Sequence, residues 1–187
     1  MKVLHLDSGI FVDGSVSRQL SKDVVAKLSQ DKAASVTHRD LVVDPIPHLQ
    51  SDELLAEDKP LINELVAELQ DADVIVIGAP MYNFTIPTQL KAWFDRVLQA
   101  GVTFRYTDNG PVGLLEGKKA IIASGRGGVY STGDAVALDH QEAYLKTALA
   151  FIGITDVEIV RAEGLNMGDE ARNEGLSKSK DRIAELS

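Results

Sequence analysis

Three short stretches of this chain hold the groups best suited to chemistry. Residues 8–17 read Ser8-Gly9-Ile10-Phe11-Val12-Asp13-Gly14-Ser15-Val16-Ser17 and run into an apolar pattern, Leu20, Val24, Val25 and Leu28, at helical spacing. Hydroxyls at a helix start meet unpaired N–H groups and a favourable dipole, a combination that suits a phosphate. Residues 80–87, Pro80-Met81-Tyr82-Asn83-Phe84-Thr85-Ile86-Pro87, place two aromatics and an amide directly after a buried apolar run, where open α/β sheets take flat ligands. Gly125-Arg126-Gly127-Gly128 lets backbone N–H groups come close to a ligand. A hydroxyl nest without a lysine, an aromatic platform and a glycine rim together suit one flat, singly phosphorylated cofactor.

Other chemistries are excluded by what these stretches lack. Gly9 and Gly14 have P-loop spacing, but Ser15 and Val16 stand where Lys and Ser/Thr are needed for nucleoside triphosphates. There is no Gly-x-Gly-x-x-Gly for a dinucleotide grip. Asp7 ends the first strand pattern as a phospho-acceptor aspartate would, yet the third strand ends in Gly78-Ala79-Pro80 and offers no second aspartate. The absence of cysteine removes disulfides, thiolate nucleophiles and thiolate-bound zinc, and fits a reducing cytoplasm. A formal net charge of -9 with no basic stripe argues against a nucleic-acid partner. His5 and Asp7 interrupt the amino-terminal apolar run, so it is not a signal peptide, and no run is long enough to span a bilayer.

The elements that must position these loops alternate between strand and helix. Val3-Leu4-His5-Leu6 is the first predicted strand and residues 35–43 the second, stopped by Pro45 and Pro47. Two helical pieces follow within 51–72, the second starting at Pro60 with Leu61, Ile62, Leu65, Val66 and Leu69 on one face. Val74-Ile75-Val76-Ile77 is too short for a helix and β-branched, which predicts a strand buried on both faces. Thr88 is placed to cap a helix bearing Leu90, Trp93, Phe94, Val97 and Leu98 and ending at Gly101. Residues 103–115 predict a small excursion with a tight turn, and 119–124 the fourth strand. A polar loop over 129–134 leads to a helix with Leu138, Tyr144, Leu145, Ala148, Leu149 and Ile152 inward, closed by Gly153. Residues 157–160 are the last strand, and an exposed helix follows Gly168. Such alternation in 187 residues predicts one domain, residues 1–187, with a doubly wound α/β fold. The flavodoxin-like order 2-1-3-4-5 for its five parallel strands brings the three loops to one crevice.

Against this frame, the chain resembles the FMN-dependent NADH-azoreductase and quinone reductase family. The resemblance is carried by Ala79-Pro80-Met81-Tyr82-Asn83-Phe84, Pro87 and Gln89-Leu90-Lys91-Ala92-Trp93-Phe94-Asp95. Further matches are Ala100-Gly101-Val102-Thr103-Phe104-Arg105-Tyr106, Gly117-Lys118-Lys119-Ala120, Arg126-Gly127-Gly128 and Phe151-Ile152-Gly153-Ile154-Thr155-Asp156-Val157. It implies tightly bound FMN with its phosphate at Gly9, Ser15, Val16 and Ser17, its ring along Met81, Tyr82, Asn83 and Phe84, and its pyrimidine edge at Gly125, Arg126, Gly127 and Gly128. Gly9 and Gly125 stand where the family commonly has serine, so those contacts are expected from backbone, with Ser8 and Ser124 as neighbouring hydroxyls. The activity implied is two-electron, ping-pong reduction of quinones and azo compounds by NADH or NADPH, in a cytoplasmic homodimer. No catalytic acid is identified, because the flavin carries the chemistry. Backbone N–H groups of Gly127 and Gly128, with Arg126 nearby, are candidates to stabilise charge on the ring.

Two readings compete with it: a flavodoxin-like electron carrier with no substrate of its own, and a flavin-free small-molecule binder in the same crevice. His5 reads as a hydrogen-bonded core residue and His140 as a solvated one, while His38 and His48 have no partners at metal-ligand spacing. Trp93 and Phe94 read as core or dimer surface. Trp93, Phe104, Tyr106 and Phe151 together predict an apolar patch that a second subunit would cover.

Overall fold

The computed structural model describes residues 1–31 and 33–186. In chain order the first elements are β1 (Lys2–Asp7), α1 (Val16–Asp31), β2 (Ser35–Asp40), α2 (Ser51–Leu55), α3 (Pro60–Asp71) and β3 (Val74–Pro80). They are followed by α4 (Thr88–Val97), the hairpin β4 (Phe104–Thr107) and β5 (Gly110–Gly113), and β6 (Lys119–Gly125). A short 3-10 helix (Gly133–Leu138), α5 (Glu142–Phe151), β7 (Asp156–Ala162) and α6 (Asp169–Ala184) complete the chain.

Five strands form a parallel sheet in the order β2-β1-β3-β6-β7, which is the predicted 2-1-3-4-5 once the β4-β5 hairpin is set aside. All seven residues of β3 are buried, as expected of a central strand covered on both faces. Because successive side chains alternate, Ile75 and Ile77 enter a core with Leu65, Leu69, Leu90, Trp93, Phe94 and Leu149, under α3, α4 and α5. Val74 and Val76 enter the opposite core with Leu20, Val24 and Ile183, under α1 and α6. The same alternation sends Leu4 and Leu6 to the first core, whereas Val3 belongs to the second. His5 and Asp7 are therefore polar residues on the α1 face of the sheet.

Several element ends fall short of the sequence pattern, each where a side chain captures the backbone. Strand β2 stops at Asp40, three residues early, because Asp40 Oδ1 accepts from the N–H groups of Val42 and Val43 at 3.0 and 3.2 Å and turns the chain. Helix α4 ends at Val97 and does not reach Gly101, since Thr103 Oγ1 donates to Val97 O at 2.7 Å and accepts from Gln99 N at 2.9 Å. Thr88 is the first residue of α4 and makes no capping bond; Pro87 occupies the cap. Helix α5 begins only at Glu142, where Asp139 Oδ1 accepts from Gln141 N and Glu142 N at 3.0 Å each, and Leu138 is left exposed in the 3-10 helix.

The expected aromatic patch is largely absorbed by the fold. Trp93 is fully buried, Phe104 is buried, and Phe151 packs on Phe104 with ring centroids 4.5 Å apart. Tyr106 alone of the four is well exposed, at 73 %. The hairpin carries Phe104 back onto the end of α5, where Leu115 N donates to Ile152 O at 2.9 Å.

Candidate functional site

The three loops leave the carboxyl ends of β1, β3 and β6, adjacent strands of the sheet, and they are bonded to one another. Tyr82 Oη accepts from Ile10 N at 3.0 Å, which ties the second loop to the first. Met81 N donates to Gly125 O at 2.9 Å, which ties it to the third. On the remaining side, the ideal Cβ position of Gly125 lies 3.4 Å from Ser17 N, so the end of β6 packs directly against the start of α1.

In the first loop Ser17 is buried and Ser15 half-buried, with their hydroxyl oxygens 3.1 Å apart. Gly9 lies under them: a Cβ there would stand 2.7 Å from Ser15 Oγ and 3.2 Å from Ser17 Oγ, inside the hydroxyl nest. Serine could not replace Gly9 without moving those hydroxyls, which explains the departure noted in the sequence. Neither neighbouring serine substitutes for the missing hydroxyls. Ser8 Oγ donates to Gly78 O at 2.7 Å, and Ser124 Oγ is engaged by Gln141 Oε1 and Arg126 Nε, both within buried surroundings. Val16, half-buried, opens α1.

Arg18, which carries no signal in the sequence, holds this loop. Its Nε donates to Gly9 O at 3.0 Å while its two terminal nitrogens grip Asp40 at 2.5 and 2.8 Å. The Arg18 hydrogen bonds, opposed by burial and aided by the N–H groups of Val42 and Val43, hold the Asp40 carboxyl down to about 2. An arginine in the first turn of a helix and an aspartate at a strand end carry no signal in one dimension. Parallel pairing of β1 with β2 is what brings them together.

The second loop contains a tight turn. Tyr82 and Thr85 exchange backbone hydrogen bonds at 3.0 and 3.1 Å, and the residues between them, Asn83 and Phe84, have φ of 48° and 71°. Left-handed φ at both central positions is the geometry of a two-residue hairpin turn, which asparagine tolerates and phenylalanine resists. The Phe84 backbone costs about 1–2 kcal/mol there. His140 N donates to Phe84 O at 3.0 Å, and the Phe84 ring meets Tyr130 edge-on at 6.2 Å. Thus His140, exposed as expected, serves this turn through its backbone. Met81 and Tyr82 are half-buried, while Asn83 and Phe84 are exposed. Tyr130 went unnoticed in the sequence, lying in a stretch with only a polar-loop pattern.

In the third loop the carbonyls of Arg126, Gly127 and Gly128 accept from Leu165, Asn166 and Gly164 at 3.1, 2.9 and 3.0 Å. The N–H groups of Gly127 and Gly128 have no hydrogen-bond partner among the described residues. The missing side chains face protein: a Cβ on Gly127 would lie 2.7 Å from Asn166 Nδ2, and one on Gly128 3.1 Å from the Tyr130 ring. Arg126 departs furthest from its expected surroundings. It is 1 % exposed, its guanidinium sits among Asp139, Glu142 and Glu163 at 2.8, 2.5 and 3.3 Å, and its Nε donates to Ser124 Oγ and Gln141 Oε1. With three carboxylates already around it, the side chain braces the loop from below, and the free donors that the loop presents are backbone N–H groups. Trp93 and Phe94 are core residues, so neither touches the crevice.

These features fit FMN. A hydroxyl nest that a single Cβ would fill matches a phosphate, and two partnerless N–H groups on the opposite loop match the acceptor edge of a flavin ring.

A five-stranded parallel sheet of this order, with loops gathered at its switch point, defines a flavodoxin-like protein. The chain belongs to that family: the family model described as Flavodoxin-like fold matches residues 1–186. It is 69% identical over 183 residues to the FMN-dependent NADH:quinone oxidoreductase 1 of Idiomarina loihiensis, with 98% of each chain covered. A protein of Azospirillum brasilense named FMN-dependent NADH:quinone oxidoreductase is 52% identical over 202 residues, covering 100% of this chain and 97% of its own. Among solved structures, the FMN-dependent NADH-azoreductase from Bacillus anthracis in complex with FMN superposes with a TM-score of 0.89 at 27% identity, covering 98% of this chain and 96% of that one.

Proposed function

We infer that this chain is an FMN-dependent NADH:quinone oxidoreductase that also reduces azo compounds. The observation that carries the reading is the bonded convergence of the three loops, Ile10 to Tyr82 and Met81 to Gly125, which makes one crevice from a phosphate nest and an aromatic turn. Relatives named for this activity match along essentially the whole chain, which supports it. The electron-carrier alternative is not favoured, since those relatives carry the name of a reductase with its own donor and acceptor.

FMN, when bound, supplies two-electron transfer from NADH to the acceptor. The protein supplies placement. Ser15 and Ser17 hold the phosphate by their hydroxyls and by the N–H groups of the α1 start, with Gly9 leaving room beneath. Met81, Tyr82, Asn83 and Phe84 border the ring, and the strained turn fixes Asn83 and Phe84 in one orientation. Gly127 and Gly128 would present N–H donors to the pyrimidine edge, preorganised dipoles of the kind that favour negative charge there. Gly125 and Arg126 shape that loop, the first by packing on Ser17 and the second through its buried carboxylate partners. The reading includes NADPH beside NADH as a donor.

The reading extends to a single domain over residues 1–187 and to a homodimer in the cytoplasm. Support for the dimer comes from exposed apolar side chains at the crevice mouth, Ile10, Phe11, Val12 and Phe84. Among the described residues no helix is long and apolar enough to cross a membrane.

A steady-state screen of NADH and NADPH against quinones and azo dyes tests the activity. Yellow protein that oxidises NADH only when a quinone or azo dye is present is the expected result. Colourless protein, or flavin that accumulates in its one-electron form without turnover, would reject it.

A further inference from the structure

We propose that His5, Asp7 and His38 form a binding site for one zinc-type divalent cation, on the α1 face of the sheet beside the first loop. In the parallel pairing of β1 with β2, His5 lies opposite His38, so both rings leave the same face. Asp7, two residues further along β1, leaves that face too. The imidazoles lie 4.6 Å apart, centroid to centroid. Their Nε2 atoms converge on one oxygen: Asp7 Oδ2 is 3.0 Å from His38 Nε2 and 3.5 Å from His5 Nε2. On a tetrahedral zinc ion, ligands held at ~2.0–2.1 Å are separated by about 3.3 Å. The oxygen is therefore already at coordination spacing from both nitrogens, and all three donor atoms lie within 4.8 Å of one another.

The supporting contacts are those of a built site. Asp7 Oδ1 accepts from Ser21 Oγ at 2.8 Å, which orients the carboxylate and leaves Oδ2 for a cation, while the same hydroxyl lies 2.9 Å from His5 Nε2, a contact that the cation would displace. Gly78, on the neighbouring strand, makes room for it: a Cβ there would lie 2.6 Å from Asp7 Oδ1. Asp7 and His5 are buried, whereas the His38 side chain is 47% exposed at the sheet edge and gives a route in from solvent. An adjoining cavity of about 810 Å³, walled by Asp13, Ser15, Val16, Lys22, Asp23 and Lys180 and so shared with the first loop, leaves space for a water as fourth ligand. Arg18, also at this cavity, is occupied by Asp40.

Two imidazoles and one carboxylate favour zinc over magnesium or calcium, which prefer all-oxygen shells. Spacing in the sequence concealed the trio, because His38 comes from a different strand and only the β1-β2 register aligns it.

The experiment uses full-length, FMN-loaded protein without a purification tag, stripped by chelator and titrated with zinc chloride by calorimetry and with cobalt chloride in the visible range. One ion per chain, with the intense cobalt bands of a tetrahedral site, is expected. His38→Gln should weaken zinc by at least ~10-fold and remove the zinc-dependent rise in melting temperature, while His48→Gln leaves both unchanged. Because His38 is half-exposed on an edge strand, its replacement should leave far-ultraviolet circular dichroism and flavin content intact. No saturable zinc uptake, weak octahedral cobalt bands, or wild-type affinity in His38→Gln would each overturn the site and leave a simple buried His–Asp pair.

Discussion

Tyr82 and Ile10, residues of two different loops, are joined by a hydrogen bond of 3.0 Å from the Ile10 N–H to the tyrosine hydroxyl. This bond makes the second loop, proposed to border the ring, depend on the first, proposed to hold the phosphate. Tyr82→Phe removes the acceptor while keeping the aromatic surface, so its effect isolates the coupling. Loss of one neutral hydrogen bond is worth about 0.5–1.5 kcal/mol, which predicts FMN binding weaker by roughly 2- to 10-fold. Fluorescence titration of the apoprotein measures this directly, and an unchanged dissociation constant would mean the two loops are positioned independently.

The Asn83-Phe84 turn sets stability against function. With φ of 71°, Phe84 occupies a backbone region that glycine adopts freely, so Phe84→Gly should relieve up to about 1–2 kcal/mol of strain. The greater flexibility of glycine in the unfolded chain offsets part of that gain. The same change deletes an exposed ring beside the crevice and its contact with Tyr130. A melting temperature equal to or above wild type, with poorer flavin retention, is the expected pair of results. A strongly destabilised variant would show that the ring's packing outweighs the strain.

Much of this architecture could be read from one dimension because its signals are local. The β-branched run at 74–77, the helical faces of α3 and α4 and the glycines of 125–128 each announce themselves within a few residues. The crevice follows from strand order, since the topology carries three loops to one edge. What escaped notice depends on pairs distant in sequence: Arg18 with Asp40, Phe84 with Tyr130, and Arg126 with Asp139, Glu142 and Glu163. Arg126 is instructive. A cation in a ligand loop suggested a role on the ligand, but nothing local reveals that three carboxylates from later segments surround it.

Ser15 and Ser17, with hydroxyl oxygens 3.1 Å apart over Gly9, are the proposed phosphate ligands. Replacing both by alanine should weaken FMN by about 1–3 kcal/mol, the scale of hydrogen bonds to a charged group. That is roughly 5- to 150-fold in dissociation constant. Riboflavin, which lacks the phosphate, provides the control, and its affinity should be unaffected. Equal losses for FMN and riboflavin would indicate a general collapse of the loop.

Acid should loosen the phosphate loop through Asp40. Its carboxyl is held at about 2 in the folded protein, chiefly by the Arg18 hydrogen bonds, against about 4 for an unfolded aspartate. A depressed folded value means that the group stabilises the fold fully above the unfolded value, and that this contribution is lost as pH falls from about 4 to about 2. Asp40 is partly exposed, so solvent screening reduces its worth, and the trend with pH is the more telling quantity. The melting temperature of Asp40→Asn should therefore lie below wild type by a constant amount above pH ~4, and the gap should close as pH approaches ~2. Because Arg18 also bonds Gly9 O, the variant should lose FMN affinity at neutral pH as well. A gap that persists unchanged to pH ~2 would show that the Asp40 carboxylate charge is not what holds Arg18, and that shape alone does so.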